Sequence, residues 1–189
     1  DARDDVFTIS GEDFMVRARS VVLTTGGLSF PSTGSDGTGY AIARSFGHSI
    51  VPTTASLTPL TTSDADWKEL SGIAVPAMLT LWVADKKVHS VEGSLLFTHF
   101  GFSGPAALDI SRHWIRADRS KGARLEASFI PGQTEEEIAA DLKESAAVEG
   151  ASSVRSWIER GELPDRLNQT LLRKAGVEPS KCLAQVKKE

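Results

Sequence analysis

Cysteine is nearly absent from this chain. Cys182 stands alone, so no internal disulfide can form, which fits a reducing compartment. Long apolar runs are missing as well: nothing approaches the roughly 18 consecutive apolar residues of a membrane span, and no charged-then-apolar leader opens the chain. The expectation is a cytoplasmic protein with no membrane partner. No pair of His or Cys shows metal-ligand spacing, which predicts no metal site. There is no basic excess either. Net charge is −4, and from Arg119 to Glu189 the 12 basic and 12 acidic residues cancel and intersperse. That dispersal argues against a nucleic-acid partner, for which basic residues should cluster.

What the chain does contain is core material and one unusual loop. At 40% apolar residues, with four Trp and eight Phe, it can build one sizeable core or two small ones. The run from Val21 to Tyr40 reads as a buried strand (Val21–Leu23), a glycine-dense loop and a helix start. Helical character resumes with Ala41, Ile42, Ala43 and Phe46, and Gly47 is placed to end that helix. Gly34, Gly37 and Gly39 give GxxGxG, the reverse of the dinucleotide fingerprint, and no Lys-Ser or Lys-Thr follows to make a phosphate loop. Five glycines between Gly26 and Gly39 nevertheless exceed what one turn needs, so a flat group approaching bare main chain is the functional reading. The plain alternative is a connection whose glycines satisfy backbone dihedrals.

Three regions follow one another. Phe7 and Ile9, then Phe14, Val16 and Ala18, alternate around Gly11-Glu12-Asp13 and predict a hairpin. Pro52 and the Thr/Ser-rich stretch Thr53–Ser63 read as a linker, dividing the chain into 1–55 and 56–189. Within the second part, 56–132 is mainly β: Ala77–Ala84 is an apolar run, Asp85-Lys86-Lys87 a turn, and Leu125, Ala127 and Phe129 alternate with polar residues. One helix interrupts it, opened by Ser103-Gly104-Pro105, with Ala107, Ile110 and Trp114 at helical spacing. Residues 133–189 turn helical. Thr134 caps Glu135-Glu136-Glu137, Trp157, Ile158, Leu167, Leu171 and Leu172 mark apolar faces, and Gly150, Gly161, Pro164 and Gly176 divide the segments. The fold class expected is α+β.

The block Leu95–Ser111 carries candidate chemistry. Gly101-Phe102-Ser103-Gly104-Pro105 fails the GxSxG pattern of a nucleophile elbow at its last position, which argues against a hydrolase built on Ser103 and leaves it a third, minor option. Ser103 reads ordinarily as a helix N-cap; functionally, the same helix start would stabilise an anionic group. His99 lies in this block at a strand end and is the histidine to test, whereas His48, His89 and His113 sit in ordinary surface or helix contexts. Ser103 and His99 are the catalytic candidates.

Thr24-Thr-Gly-Gly-Leu-Ser-Phe-Pro-Ser-Thr-Gly-Ser-Asp-Gly-Thr-Gly-Tyr40, continuing to His48, resembles the Ala-Thr-Gly-Gly motif and Thr-Gly-Asp-Gly-Tyr helix start of a bacterial FAD-dependent oxidoreductase family. That family has two dinucleotide-binding folds and includes dehydro-bile-acid reductases and aminoacetone-oxidase-like flavoproteins. Leu95-Leu-Phe-Thr-His-Phe-Gly-Phe-Ser-Gly-Pro105 is similar to the family's Leu-Phe-Thr-His-x-Gly-Leu-Ser-Gly-Pro signature, and Glu162–Pro179 more weakly to a later helical segment.

The resemblance implies that 1–55 holds the last strands and helix of the flavin domain and 56–189 a barrel-like insert domain with a small helical subdomain. It implies that Thr25, Gly26 and Gly27 line FAD, that Gly37 and Gly39 let the helix start approach the flavin, and that the Ser103 helix start faces the substrate. A small-molecule substrate and NAD(P)H as electron donor are expected with it. Thr38 stands where the family has Asp, leaving a weaker cap at that point. No GxGxxG unit precedes Asp1, so the pyrophosphate anchor is not encoded here, and the expectation is a fragment of a longer flavoenzyme, inactive alone. The competing expectation is a non-catalytic binding module derived from that family.

Overall fold

The computed structural model describes Ala2, Arg3 and residues 6–149 and 151–186. The chain divides into two compact units, residues 1–53 and 54–189.

In the first unit, β1 (Ala2–Arg3), β2 (Val6–Ser10) and β3 (Met15–Ala18) form an antiparallel sheet with β2 in the centre. The expected hairpin is there: Phe7 faces Ala18 in register, Ile9 faces Val16, and Gly11 N donates to Phe14 O at 2.9 Å to close the turn. Helix α1 (Thr38–Ser45) also forms, and Gly47 follows it in the left-handed region, as its position predicted. Phe7 meets Phe46 edge-on at 6.0 Å. The strand expected at Val21–Leu23 does not form. Those residues are irregular and exposed, Val22 at 83%, because an apolar segment becomes a strand only by pairing, and no described strand of this unit pairs with it.

The second unit holds the core. Its sheet runs β4 (Leu60–Thr61), β7 (Gly101–Ser103), β6 (Lys86–Thr98), β5 (Ala74–Val83), β8 (Arg124–Ser128), every pair antiparallel, and curls into a half-barrel. Val75, Ala77, Leu79 and Leu81 alternate inward along β5, opposite Leu95, Gly93, Val91 and His89 of β6. Pro76 is tolerated inside β5 because β8 pairs only from Met78 onward, so the missing N–H costs no ladder bond. The β5–β6 turn is Ala84-Asp85, both at positive φ, one residue earlier than expected; Val83 pairs with Lys86, which places both lysines in the strand.

Helix α3 (Gly104–Arg116) lies in the concavity and follows the short α2 (Ala65–Glu69). Gly93 has no side chain where Ala106 arrives: a Cβ there would meet Ala106 N at 3.4 Å. Ala106, Ala107 and Ile110 are wholly buried against Leu81, Leu95 and Phe97. Phe97 is the hub, with Trp67, Phe102 and Phe129 at ring separations of 6.0, 5.6 and 6.1 Å.

The helical part comprises α4 (Glu135–Val148), α5 (Val154–Ile158) and α6 (Asp165–Lys174). Leu167 joins α6 to the sheet core, while Leu172 packs with Val154 and Leu183 in a second cluster. Gly150, expected to divide α4 from α5, lies outside the described residues. Antiparallel sheets with helices, and no parallel crossover among the described residues, make the fold α+β.

Candidate functional site

The glycine-dense loop of the first unit folds onto the start of its own helix. Thr33 N and Oγ1 both donate to Phe30 O, Phe30 bridges Ser35, and a one-turn 3-10 helix, Pro31–Thr33, fills the bend. This brings the five predicted cofactor residues together. Gly39 is the buried member, and a Cβ there would collide with Thr25 Oγ1. A side chain on Gly27 would meet the Tyr40 hydroxyl at 2.9 Å, one on Gly26 would meet Ser35 Oγ at 2.7 Å, and one on Gly37 would meet Leu28 at 2.7 Å. The loop's outer side, with Thr25, Gly26, Leu28 and Phe30 exposed, stays open. Beside it is a hollow of about 450 Å³ whose wall includes Leu28, Asp36, Tyr40, Arg44 and Ile50.

The cap of α1 is not Thr38. Thr38 is the first helical residue, and both its N–H (2.9 Å) and its hydroxyl (2.7 Å) donate to Asp36 Oδ1. The Thr38 hydroxyl bond, more than any other, holds the Asp36 carboxyl below its ordinary range. A carboxylate already occupies the positive end of this helix, so the end suits a neutral ring or a hydroxyl better than a phosphate.

In the second unit the Ser103 block is built mainly for backbone geometry. Ser103 occupies the N-cap position of α3, but its hydroxyl makes no cap hydrogen bond, which corrects the expected capping role. Gly104 sits at φ +86°, where a Cβ would stand 2.7 Å from Ser94 O and 3.0 Å from Leu96 N. His99 lies in the turn beyond the Thr98–Gly101 pair and meets Phe100 edge-on at 5.0 Å, whereas Ser103 pairs with Leu96 at the other end of β7. The two candidates are therefore not brought together.

Between edge strands β4 and β8 the half-barrel leaves an apolar cavity of about 610 Å³, walled by Trp67, Leu79, Leu95, Phe102, Trp114 and Phe129 among others. Neither Ser103 nor His99 lines it. Two features escaped sequence reasoning. His89 and His113, which read as ordinary surface or helix residues, stack at 3.7 Å. Asn168, 3% exposed, has an Oδ1 with no hydrogen-bond partner while its Nδ2 donates to Leu163 O at 3.1 Å. Neither shows in sequence spacing, because each pairing joins distant segments or depends on burial. Among the described residues no group of His, Cys, Asp and Glu has metal-holding geometry, and no helix is long and apolar enough to cross a membrane.

A half-barrel packed on one helix and followed by a helical subdomain is a barrel-plus-helix module. The model of the HI0933-like protein barrel and H2TH domain matches residues 54–189, and the chain belongs to that family of FAD-dependent oxidoreductases. It is 32% identical to the ribosomal RNA dihydrouridine synthase of Haemophilus influenzae over 163 residues, 80% of this chain and 38% of that protein. It is 41% identical to the Escherichia coli protein of the same name over 117 residues, 60% of this chain and 28% of that one. The 3-dehydro-bile acid delta(4,6)-reductase of Clostridium scindens is 28% identical over 137 residues, 68% and 34% of the two chains. The chain thus spans about a third of the length of the curated relatives it matches.

Proposed function

We propose that this chain is the insert domain and an adjoining piece of the flavin domain of an FAD-dependent reductase that saturates a carbon–carbon double bond conjugated to a carbonyl. The observation that carries the reading is chemical. A dihydrouridine synthase and a delta(4,6)-reductase, both relatives, bear names that describe this one reaction on different substrates. In this reading the flavin supplies the hydride and NAD(P)H replenishes it. Thr25, Gly26, Gly27, Gly37 and Gly39 would hold the cofactor from the loop's exposed outer side, since at the four glycines the space of a Cβ is already taken by Thr25, Leu28, Ser35 and Tyr40. With Asp36 already on the helix end, these residues meet a ring or ribose rather than the pyrophosphate, so the 189-residue chain alone binds flavin weakly or not at all.

Ribosomal RNA uridine is the substrate the relatives favour, through two proteins at 32% and 41% identity. The balanced charge order that spoke against a nucleic-acid partner describes neighbours in sequence, not the folded surface. A small apolar ring compound is the second reading, favoured by the cavity between β4 and β8. The test is to purify the longest native protein containing this chain, record its visible spectrum, and measure dihydrouridine in ribosomal RNA from cells with and without its gene. A yellow protein and gene-dependent dihydrouridine are expected. A colourless product removes the flavoenzyme reading and leaves the non-catalytic module; unchanged dihydrouridine with a yellow protein moves the substrate to the small-molecule class.

A further inference from the structure

The start of β6 and the second half of α3 bring together cations that are apart in the sequence. Lys86 and Lys87 open β6 and alternate in face: Lys86, opposite Val83, shares the side of His89 and α3, whereas Lys87, opposite Trp82, lies on the other side. Arg112 and Arg116 stand one turn apart on α3, Arg116 Nε donating to Thr54 Oγ1 at 2.9 Å, and Arg119 follows its end; all five cations are exposed, and four of them belong to the α3 side. α3 packs along β6, and at the junction the rings of His89 and His113 stack with centroids 3.7 Å apart and planes 21° from parallel. Arg112 Nε donates to His113 Nε2 at 3.1 Å, and Arg119 covers the Trp114 ring at 5.1 Å.

The acids nearby are mostly engaged elsewhere. Asp85 and Glu126 hold Arg124, and Asp118 holds Lys121. Among the described residues, none of the five cations has a carboxylate within ion-pair distance. Burial first, and then the neighbouring His89 and Arg112, hold the His113 imidazole below its ordinary range, with Asp109 pulling the other way.

We propose that this surface holds the sugar-phosphate backbone of the RNA substrate, with the stacked imidazoles offering a flat face to an unpaired base. This rests on the ribosomal RNA reading of the function. Unpaired guanidinium and ammonium groups bind phosphates and release counterions, while flat rings beside them stack on exposed bases. The cations stand on a helix and a strand packed against each other, so the array is positioned before RNA arrives.

The test measures binding of protein-free ribosomal RNA by the 189-residue chain across a salt series. Four backbone contacts, from Lys86, Arg112, Arg116 and Arg119, predict that log K falls with log salt at a slope of about −2.8, from about −0.7 per neutralised phosphate on single strands. K86Q should flatten that slope by about 0.7 and weaken binding severalfold near physiological salt, and R112Q/R116Q should flatten it by about 1.4 and weaken binding about tenfold or more. R17Q/R19Q, which removes the same charge from the β2–β3 hairpin, should change neither. Because the two test variants lie on different elements, misfolding of one leaves the other as the readout, with circular dichroism as the check. Unchanged slopes in a folded test variant, or a wild-type chain that ignores RNA, whether or not it is retained on phosphatidylserine vesicles, would overturn the proposal. If gene-dependent dihydrouridine persists beside unchanged slopes, the patch assignment fails while the RNA reading stands; if dihydrouridine is absent, that reading fails at its source.

Discussion

Gly104 and Ser103 show how neighbouring residues in one motif answer to different constraints. Gly104→Ala places a Cβ against main-chain atoms of Ser94 and Leu96 at a φ of +86°, so neither a rotamer change nor a small loop shift relieves it. The substitution should cost about 1–3 kcal/mol, read as a lower urea midpoint with an unchanged m-value. Ser103→Ala should leave stability within about 0.5 kcal/mol, because the hydroxyl caps nothing. A serine whose loss is silent in folding yet lowers turnover of the intact enzyme would owe its place to the substrate. His99, exposed in its turn, can be judged by the same comparison.

Among the elements, α4 and α6 are held at their ends by different physics. Thr134 and Glu137 form a reciprocal capping box, with Thr134 N donating to Glu137 Oε2 at 2.7 Å and Glu137 N donating to Thr134 Oγ1 at 3.2 Å. Thr134→Ala should therefore cost about 1 kcal/mol by thermal or urea unfolding. At the end of α6, Lys174 pairs with Asp64 and Asp66 and lies 4.8 Å over the Trp67 ring, tying α6 to α2.

The hydrogen bond from Lys174 is the first cause of the lowered Asp64 pKa, and Asp64 is the first cause of the raised Lys174 pKa. The depressed carboxyl contributes stability above its unfolded value of 3.8, and that stability is lost as pH falls through the folded pKa. The raised ammonium contributes below 10.5, and its share is lost as pH rises through the folded pKa. Lys174→Met should consequently lower the neutral plateau of a stability-against-pH curve modestly and leave its acid and alkaline extremes unchanged, which flattens both limbs.

For the molecule as a whole, burial is concentrated in one unit. The wholly buried Phe97 organises the second unit, and Phe97→Ala should cost about 3–5 kcal/mol there. In the first unit Gly39 is the one buried residue among those described, and Val22, Val51 and Met15 are 83%, 77% and 72% exposed. A unit with so little apolar burial opens at low free energy, so limited proteolysis should cut within residues 6–53 before it cuts within 54–186, and amide exchange should follow the same order. Added flavin that protected 6–53 in the longest native protein, and not in the 189-residue chain, would fit a cofactor berth completed by polypeptide beyond this chain.

Local signals were enough for much of this protein. The period-2 alternation around Gly11, the Ser-Gly-Pro helix start, the Thr134 cap and the glycine crowding from Gly26 to Gly39 each depend on a few consecutive residues and their dihedral or capping preferences, and each appears where the sequence placed it. Tertiary structure decided the rest. Val21–Leu23 has strand composition but no pairing partner, and Asp36 rather than Thr38 meets the helix end because the loop's bend carries its carboxylate there. The His89–His113 stack and the cations around it join residues of a strand and a helix that come together only through long-range packing. Backbone preferences act within a few residues and are written in order along the chain; charge clusters and cavities are properties of a surface, which exists only once distant segments have packed.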